Sequence, residues 1–167
     1  MKLIRTALLI LVSFVLFFAL TAQSSESKSY LDNISVSPYA AVTHHNITDG
    51  ESWGAGADLG LGINKYVSLH ALALGYSNND WRGGAIDEAS LLAKARLVRN
   101  ANETLSLYGI GGADRDFALE DWAIGIGLGV ELRLAKNFSL FGDSRIRAWF
   151  RGRSEDLQTR AGVNFSF

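Results

Sequence analysis

Three histidines, His44, His45 and His70, are the residues of this 167-residue sequence best suited to acid-base or metal chemistry. His44 and His45 are neighbours in what reads as a strand, where adjacent side chains point to opposite faces and rarely chelate one ion, so no metal site is expected. The pair is read instead as a polar rim beside the loop at residues 46–52. Gly54-Ala55-Gly56 and the alternate glycines Gly125, Gly127 and Gly129 look superficially like nucleotide-binding loops, but they lie inside strands and no helix follows them. The glycines are therefore structural, and no cofactor is expected.

Charged residues at alternate positions supply the other chemistry. Lys94, Arg96, Arg133, Arg145, Arg147 and Arg160 outnumber Asp58, Glu131 and Asp143, and His70 lies in the same file. Such a file lines either a basic, anion-preferring pathway or an interior too narrow for a continuous channel, filled by pairs across neighbouring strands. The second is the expectation, with Glu131 and Arg133 set against Asp143 and Arg145.

The elements that must carry this file have period two. In Trp122 to Leu134, seven apolar residues (Trp122, Ile124, Ile126, Leu128, Val130, Leu132, Leu134) alternate with Ala123, Gly125, Gly127, Gly129, Glu131 and Arg133. Trp53 to Ile63 and Leu157 to Phe167 alternate in the same way. Ile34 to His45, Tyr66 to Ser77, Glu88 to Arg99, Thr104 to Gly112 and Phe138 to Phe150 complete eight strands. Long polar connections (46–52, 78–87, 113–121, 151–156) alternate with tight ones (64–65, 100–103, 135–137), as in an up-and-down meander. Both termini of the meander then fall at the short-turn, periplasmic end.

Residues 1–22 read as a secretory signal: Lys2 and Arg5 precede an apolar run from Ala7 to Leu20, broken only by Ser13, and Thr21-Ala22 offers a cleavage site. A run of that length is too short to serve as a membrane anchor. Residues 23–33 form a short leading segment, and 34–167 one barrel domain. Taking Lys2 and Arg5 from 16 basic side chains leaves 14 against 17 acidic, a net charge of −3 that excludes a general nucleic-acid binder. Cysteine is absent, so the domain holds together without disulfides and a lipid-modified cysteine is excluded.

Which face meets which solvent follows from the glycines. Glycine weakens a solvated strand, but it makes room where arginine side chains cross a narrow interior. The apolar file therefore faces lipid, and about ten residues at roughly 3.3 Å each, tilted near 45°, give the band about 25 Å tall that such barrels present. Trp53 and Trp122 at the outer ends, with Tyr66 and Phe138 near the inner ends, are placed as interfacial aromatics.

The run Thr159-Arg160-Ala161-Gly162-Val163-Asn164-Phe165-Ser166-Phe167 resembles the last strand of the OmpA/OmpX-like small outer-membrane β-barrels, a resemblance of pattern that covers residues 34–167. It implies an all-β, eight-stranded antiparallel transmembrane barrel in a bacterial outer membrane, with membrane lipid as its surroundings. By the same resemblance Phe165 and Phe167 carry the signal read by the outer-membrane insertion machinery. The sequence ends at Phe167, which implies no cell-wall-tethering domain of the kind found in two-domain members. A structural role or a loop-mediated adhesive role is the expectation, with a surface ligand met by residues 78–87 (Trp81, Arg82) and 113–121 (Asp114, Arg115, Asp116, Phe117). A narrow anion-preferring pore and a lipid A-modifying enzyme are the alternatives. No motif of those enzymes matches residue by residue, and no catalytic residue is assigned.

Overall fold

Alternation of apolar with small or polar residues produces eight strands: β1 (Ile34–His45), β2 (Gly50–Gly62), β3 (Val67–Ser77), β4 (Glu88–Arg99), β5 (Leu105–Asp116), β6 (Asp121–Ala135), β7 (Phe138–Trp149) and β8 (Asp156–Ser166). The computed structural model describes residues 34–45, 50–77, 86–117, 120–151 and 155–167. Each strand pairs antiparallel with its sequence neighbours, and β1 pairs with β8 to close the barrel. Closure leaves no edge strand, so each of the eight strands has a hydrogen-bonded neighbour on both sides, as a sheet inside hydrocarbon requires.

The tight turns are built from side chains that replace missing ladder bonds. Asn64 Oδ1 accepts from the amides of Tyr66 and Val67 at 2.8 and 2.9 Å. Asn100 Oδ1 accepts from the Leu105 amide at 2.9 Å. These turns share one end of the barrel with the β1 start and the β8 end, where the Phe167 amide donates to the Ile34 carbonyl at 2.9 Å. By the architecture of such barrels that end is periplasmic.

The apolar file turns outward. Leu59, Leu91, Ile126, Leu128, Leu132 and Ile146 are all exposed, and Leu128 retains 57% of its accessible surface. Inside lie Arg145, Arg147, Arg160, Asp58, Asp114 and Gln158, each at most 1% exposed. Greasy outside and charged inside is the inverse of a water-soluble barrel, and it identifies the surrounding solvent as lipid.

Glycine creates the space this interior needs. A Cβ on Gly56 would collide with the Tyr39 ring, and one on Gly129 would lie 2.6 Å from Asp143 Cβ and strike the Tyr108 ring. Gly129→Val should therefore destabilise the barrel by about 1–3 kcal/mol through overpacking. A lowered urea midpoint in detergent micelles is the expected readout, and an unchanged midpoint would refute the close packing.

Two elements depart from expectation by more than one residue. β5 runs to Asp116, four residues past Gly112, because Ala113, Asp114, Arg115 and Asp116 continue the ladder against Ile124, Ala123, Trp122 and Asp121. β2 starts at Gly50, before Trp53, with Ser52 paired to Thr43. The β4–β5 and β6–β7 pairings also shift register between Arg96 and Val98 and between Arg133 and Ala135, two irregularities at the periplasmic rim.

The barrel lumen as candidate functional site

Inward positions of β7 and β8 climb the wall in step, so the lumen fills in layers. Uppermost, Arg147 Nε and Nη2 donate to Asp156 Oδ1 and Oδ2 at 2.7 and 2.9 Å, while Nη1 donates to Glu88 Oε1 at 2.5 Å. Trp149 Nε1 adds a bond to Asp156 Oδ2 at 2.8 Å. Below, Arg145 Nη2 donates to Asp114 Oδ1 at 3.0 Å and to Gln158 Oε1, and Ser90 donates to the same Asp114 oxygen. In the third layer Arg160 Nε and Nη2 grip both oxygens of Asp143 at 2.8 Å, and the Tyr108 hydroxyl donates to Asp143 Oδ2 at 3.0 Å. Bidentate forks of this kind are the geometry that makes an ion pair in a dry interior tolerable.

A fourth cluster joins β2, β3 and β4. Ser68 Oγ lies 2.8 Å from His70 Nε2, His70 Nδ1 lies 2.7 Å from Asp58 Oδ1, and Lys94 Nζ lies 3.4 Å from Asp58 Oδ2. Hydroxyl, imidazole and carboxylate stand in the order of a nucleophilic triad. Ser68, Leu69 and His70, however, are paired on both sides, to β2 and to β4, so no pair of neighbouring amides is free to form an oxyanion hole. The cluster is read as a bridge that holds Lys94 over the Phe141 and Tyr108 rings, 4.9 and 5.2 Å from their centroids.

The expected pairing of Glu131 and Arg133 with Asp143 and Arg145 is not what forms. The β6–β7 register sets Asp143 opposite Gly129 and Arg145 opposite Gly127, so each takes its partner from β8 or β5 instead. Glu131 accepts from Ser139 at 2.5 Å and from Asn164 at 3.3 Å, and Arg133 is exposed at the rim. The Arg96 guanidinium donates to the Lys65 carbonyl at 2.9 Å, and the Arg96 amide to the Tyr66 carbonyl at 2.7 Å.

Sequence reading missed half of the network. Glu88 and Asp156 stand at strand ends, and Asp114 was assigned to a surface loop; all three are buried acceptors for the arginines. Their signal was the alternation itself, carried one or two residues further. An apolar cluster of Tyr39, Ala41, Leu72, Leu74, Leu92, Tyr108, Ile110 and Phe141 also faces inward. Its members come from β1, β3, β4, β5 and β7, so it reaches across the lumen.

At the outer surface, Trp53, Trp122 and Tyr66 are exposed, and Phe138 meets Phe165 with ring centroids 5.4 Å apart. Arg115 lies 5.2 Å over the Trp122 ring. His44 pairs with exposed Glu51 at 3.1 Å, while His45 turns to Ser52 Oγ at 3.0 Å, so the two imidazoles diverge. Of the expected ligand-binding loops, residues 78–85, with Trp81 and Arg82, and 118–119 lie outside the described residues.

An outward apolar belt, a closed eight-stranded meander and a charged interior together define a small outer-membrane β-barrel. Solved structures share the fold. The N-terminal β-barrel domain of Pseudomonas aeruginosa OprF is 15% identical, with a TM-score of 0.57 over 80% of this chain and 97% of that one. Neisserial surface protein A is 14% identical, with a TM-score of 0.56 over 81% and 96%. Ail, the attachment invasion locus protein of Yersinia pestis, is 14% identical, with a TM-score of 0.50 over 81% and 97%. No protein-family model and no curated protein matches the sequence.

Proposed function

We propose that this barrel serves as a membrane-embedded scaffold that displays its long loops for interaction at the cell surface, with neither transport nor catalysis in its lumen. The observation that carries this reading is the filled interior: Arg145, Arg147 and Arg160 cross it fully buried, and the inward apolar cluster packs beside them. The name of one fold relative, the attachment invasion locus protein, supports a surface role for this architecture.

Residues 1–22 act in this reading as the export signal. Phe165 and Phe167, both exposed at the periplasmic end, present the last strand to the insertion machinery. The residues of loop 113–121 left for a ligand are those beyond the β5 ladder, led by exposed Phe117, together with residues 78–87.

Replacing residues 79–84 with a short Gly-Ser linker is expected to leave the heat-dependent electrophoretic shift of the folded barrel intact and to abolish adhesion of cells that overproduce the protein. Unaltered adhesion would overturn the role given to that loop. The same preparation should give no conductance steps in planar bilayers; reproducible steps would replace the scaffold reading with the anion-preferring pore.

A further inference from the structure

Below Phe141 and Tyr108 the lumen opens into a cavity of about 700 Å³. The short turns surround its mouth, contributing Lys65, Glu103 and Lys136, and Phe167 closes the ring. Six cationic side chains line it (Lys65, Lys94, Arg96, Arg99, Arg133, Lys136) against two acidic side chains, Glu103 and Glu131, and the terminal carboxylate of Phe167. Lys94 is held by Asp58 and Arg99 by Glu103, at 3.4 and 3.0 Å. Among the described residues, Lys65, Arg96, Arg133 and Lys136 have no carboxylate within 4.0 Å. Glu131 Oε1 is already engaged by Ser139 and Asn164.

The backbone arranges part of this excess. Along β4 the inward positions run Glu88, Ser90, Leu92, Lys94 and Arg96, and uninterrupted alternation would send Arg99 to the lipid face. The register shift between Arg96 and Val98 leaves Leu97 and Val98 both exposed and turns Arg99 into the cavity, where its Nε is buried without a hydrogen-bond partner. A concave site with low-dielectric walls and one sign of charge concentrates counter-ions, and guanidinium forks match the planar or tetrahedral oxygens of carboxylate and phosphate.

We propose that this vestibule is a blind anion-binding site open to the periplasm, which takes a small multivalent oxyanion, phosphate- or carboxylate-bearing, and does not pass it on. The proposal rests on the sealed lumen of the scaffold reading only for the word blind; binding itself requires just the cavity and its charges.

The test is calorimetric titration of the full-length mature barrel in zwitterionic micelles at low ionic strength, with sodium tripolyphosphate as the phosphate probe and citrate as the carboxylate probe. Saturable one-to-one binding is expected for at least one probe, and the probe that binds more tightly assigns the ligand chemistry. The Arg96→Gln/Arg133→Gln double variant should weaken binding at least tenfold, whereas Arg115→Gln, at the opposite end of the barrel, should leave it unchanged. If the double variant loses its heat-dependent shift, Lys65→Gln/Lys136→Gln, confined to the turns, takes its place with the same expectation. Absence of saturable binding, or equal loss in Arg115→Gln, overturns the site. Conductance in bilayers would instead overturn the sealed lumen and leave the binding result standing.

Discussion

Arg147→Leu is expected to be the most damaging single change in the barrel, costing about 3–5 kcal/mol by leaving buried carboxylates without their cation. Arg147 is 1% exposed and holds both oxygens of Asp156 together with Glu88, so its removal strands two carboxylates side by side in a space closed to water. Arg147→Lys keeps the charge but loses the planar fork, and should recover only part of the loss. The triple variant Glu88→Gln/Arg147→Leu/Asp156→Asn removes the charges together and should be markedly more stable than Arg147→Leu alone. Urea midpoints in micelles measure all three. A single variant as stable as the parent would show that the upper layer contributes nothing.

Leu128→Arg, on the opposite face of the wall, is expected to cost about 2–4 kcal/mol, the penalty for a cation at the bilayer midplane. Leu128 lies mid-strand in β6 with Ile126 and Val130 exposed on the same face. On a water-facing strand the same substitution would fall within about 0.5 kcal/mol of neutral. The experiment therefore decides which solvent the outer surface meets. Stability measured in lipid vesicles is the readout, and a neutral result would invert the assignment of inside and outside.

Architecture was legible because one signal repeats. The seven-residue apolar file of β6 announces a strand with two unlike faces, and the alternation of long and short connections orders the hairpins. β5 was cut short at Gly112 because Gly109, Gly111, Gly112 and Ala113 are too small to declare a face, and only the ladder to β6 shows that the strand continues. The apolar cluster was hidden for a related reason: in Leu69-His70-Ala71-Leu72-Ala73-Leu74 both faces are largely hydrophobic, so parity alone does not reveal that Leu72 and Leu74 point inward.

Partners inside the lumen were beyond sequence reading. Arg145 meets Asp114 from 31 positions away, and Arg147 meets Glu88 from 59. Those meetings depend on strand tilt and on how far a long side chain reaches across a narrow bore, neither of which is encoded in periodicity. The turned Arg99 is a sharper case. A single register shift reverses the face that alternation assigns it, and only the paired strand shows where the shift falls.

The seam between β1 and β8 has a consequence for how the molecule assembles. Every other pairing joins consecutive segments and can zip from a local turn, whereas this one links positions such as Ser37 and Asn164, 127 apart. Joining ends so distant costs about 2 kcal/mol more chain entropy than closing a roughly ten-residue hairpin. Pro38 lies on the seam and has no amide to donate, and the paired positions skip from Val36 to Tyr39. Ser37 bridges the gap through its bond to Asn164 at 3.0 Å. Closure is thus the least local pairing in the barrel, and without it β1 and β8 are two open edges with unpaired backbone. An open edge is a template for pairing with another chain, so the strands that close this barrel are also the ones through which an unclosed copy would stick to its neighbours.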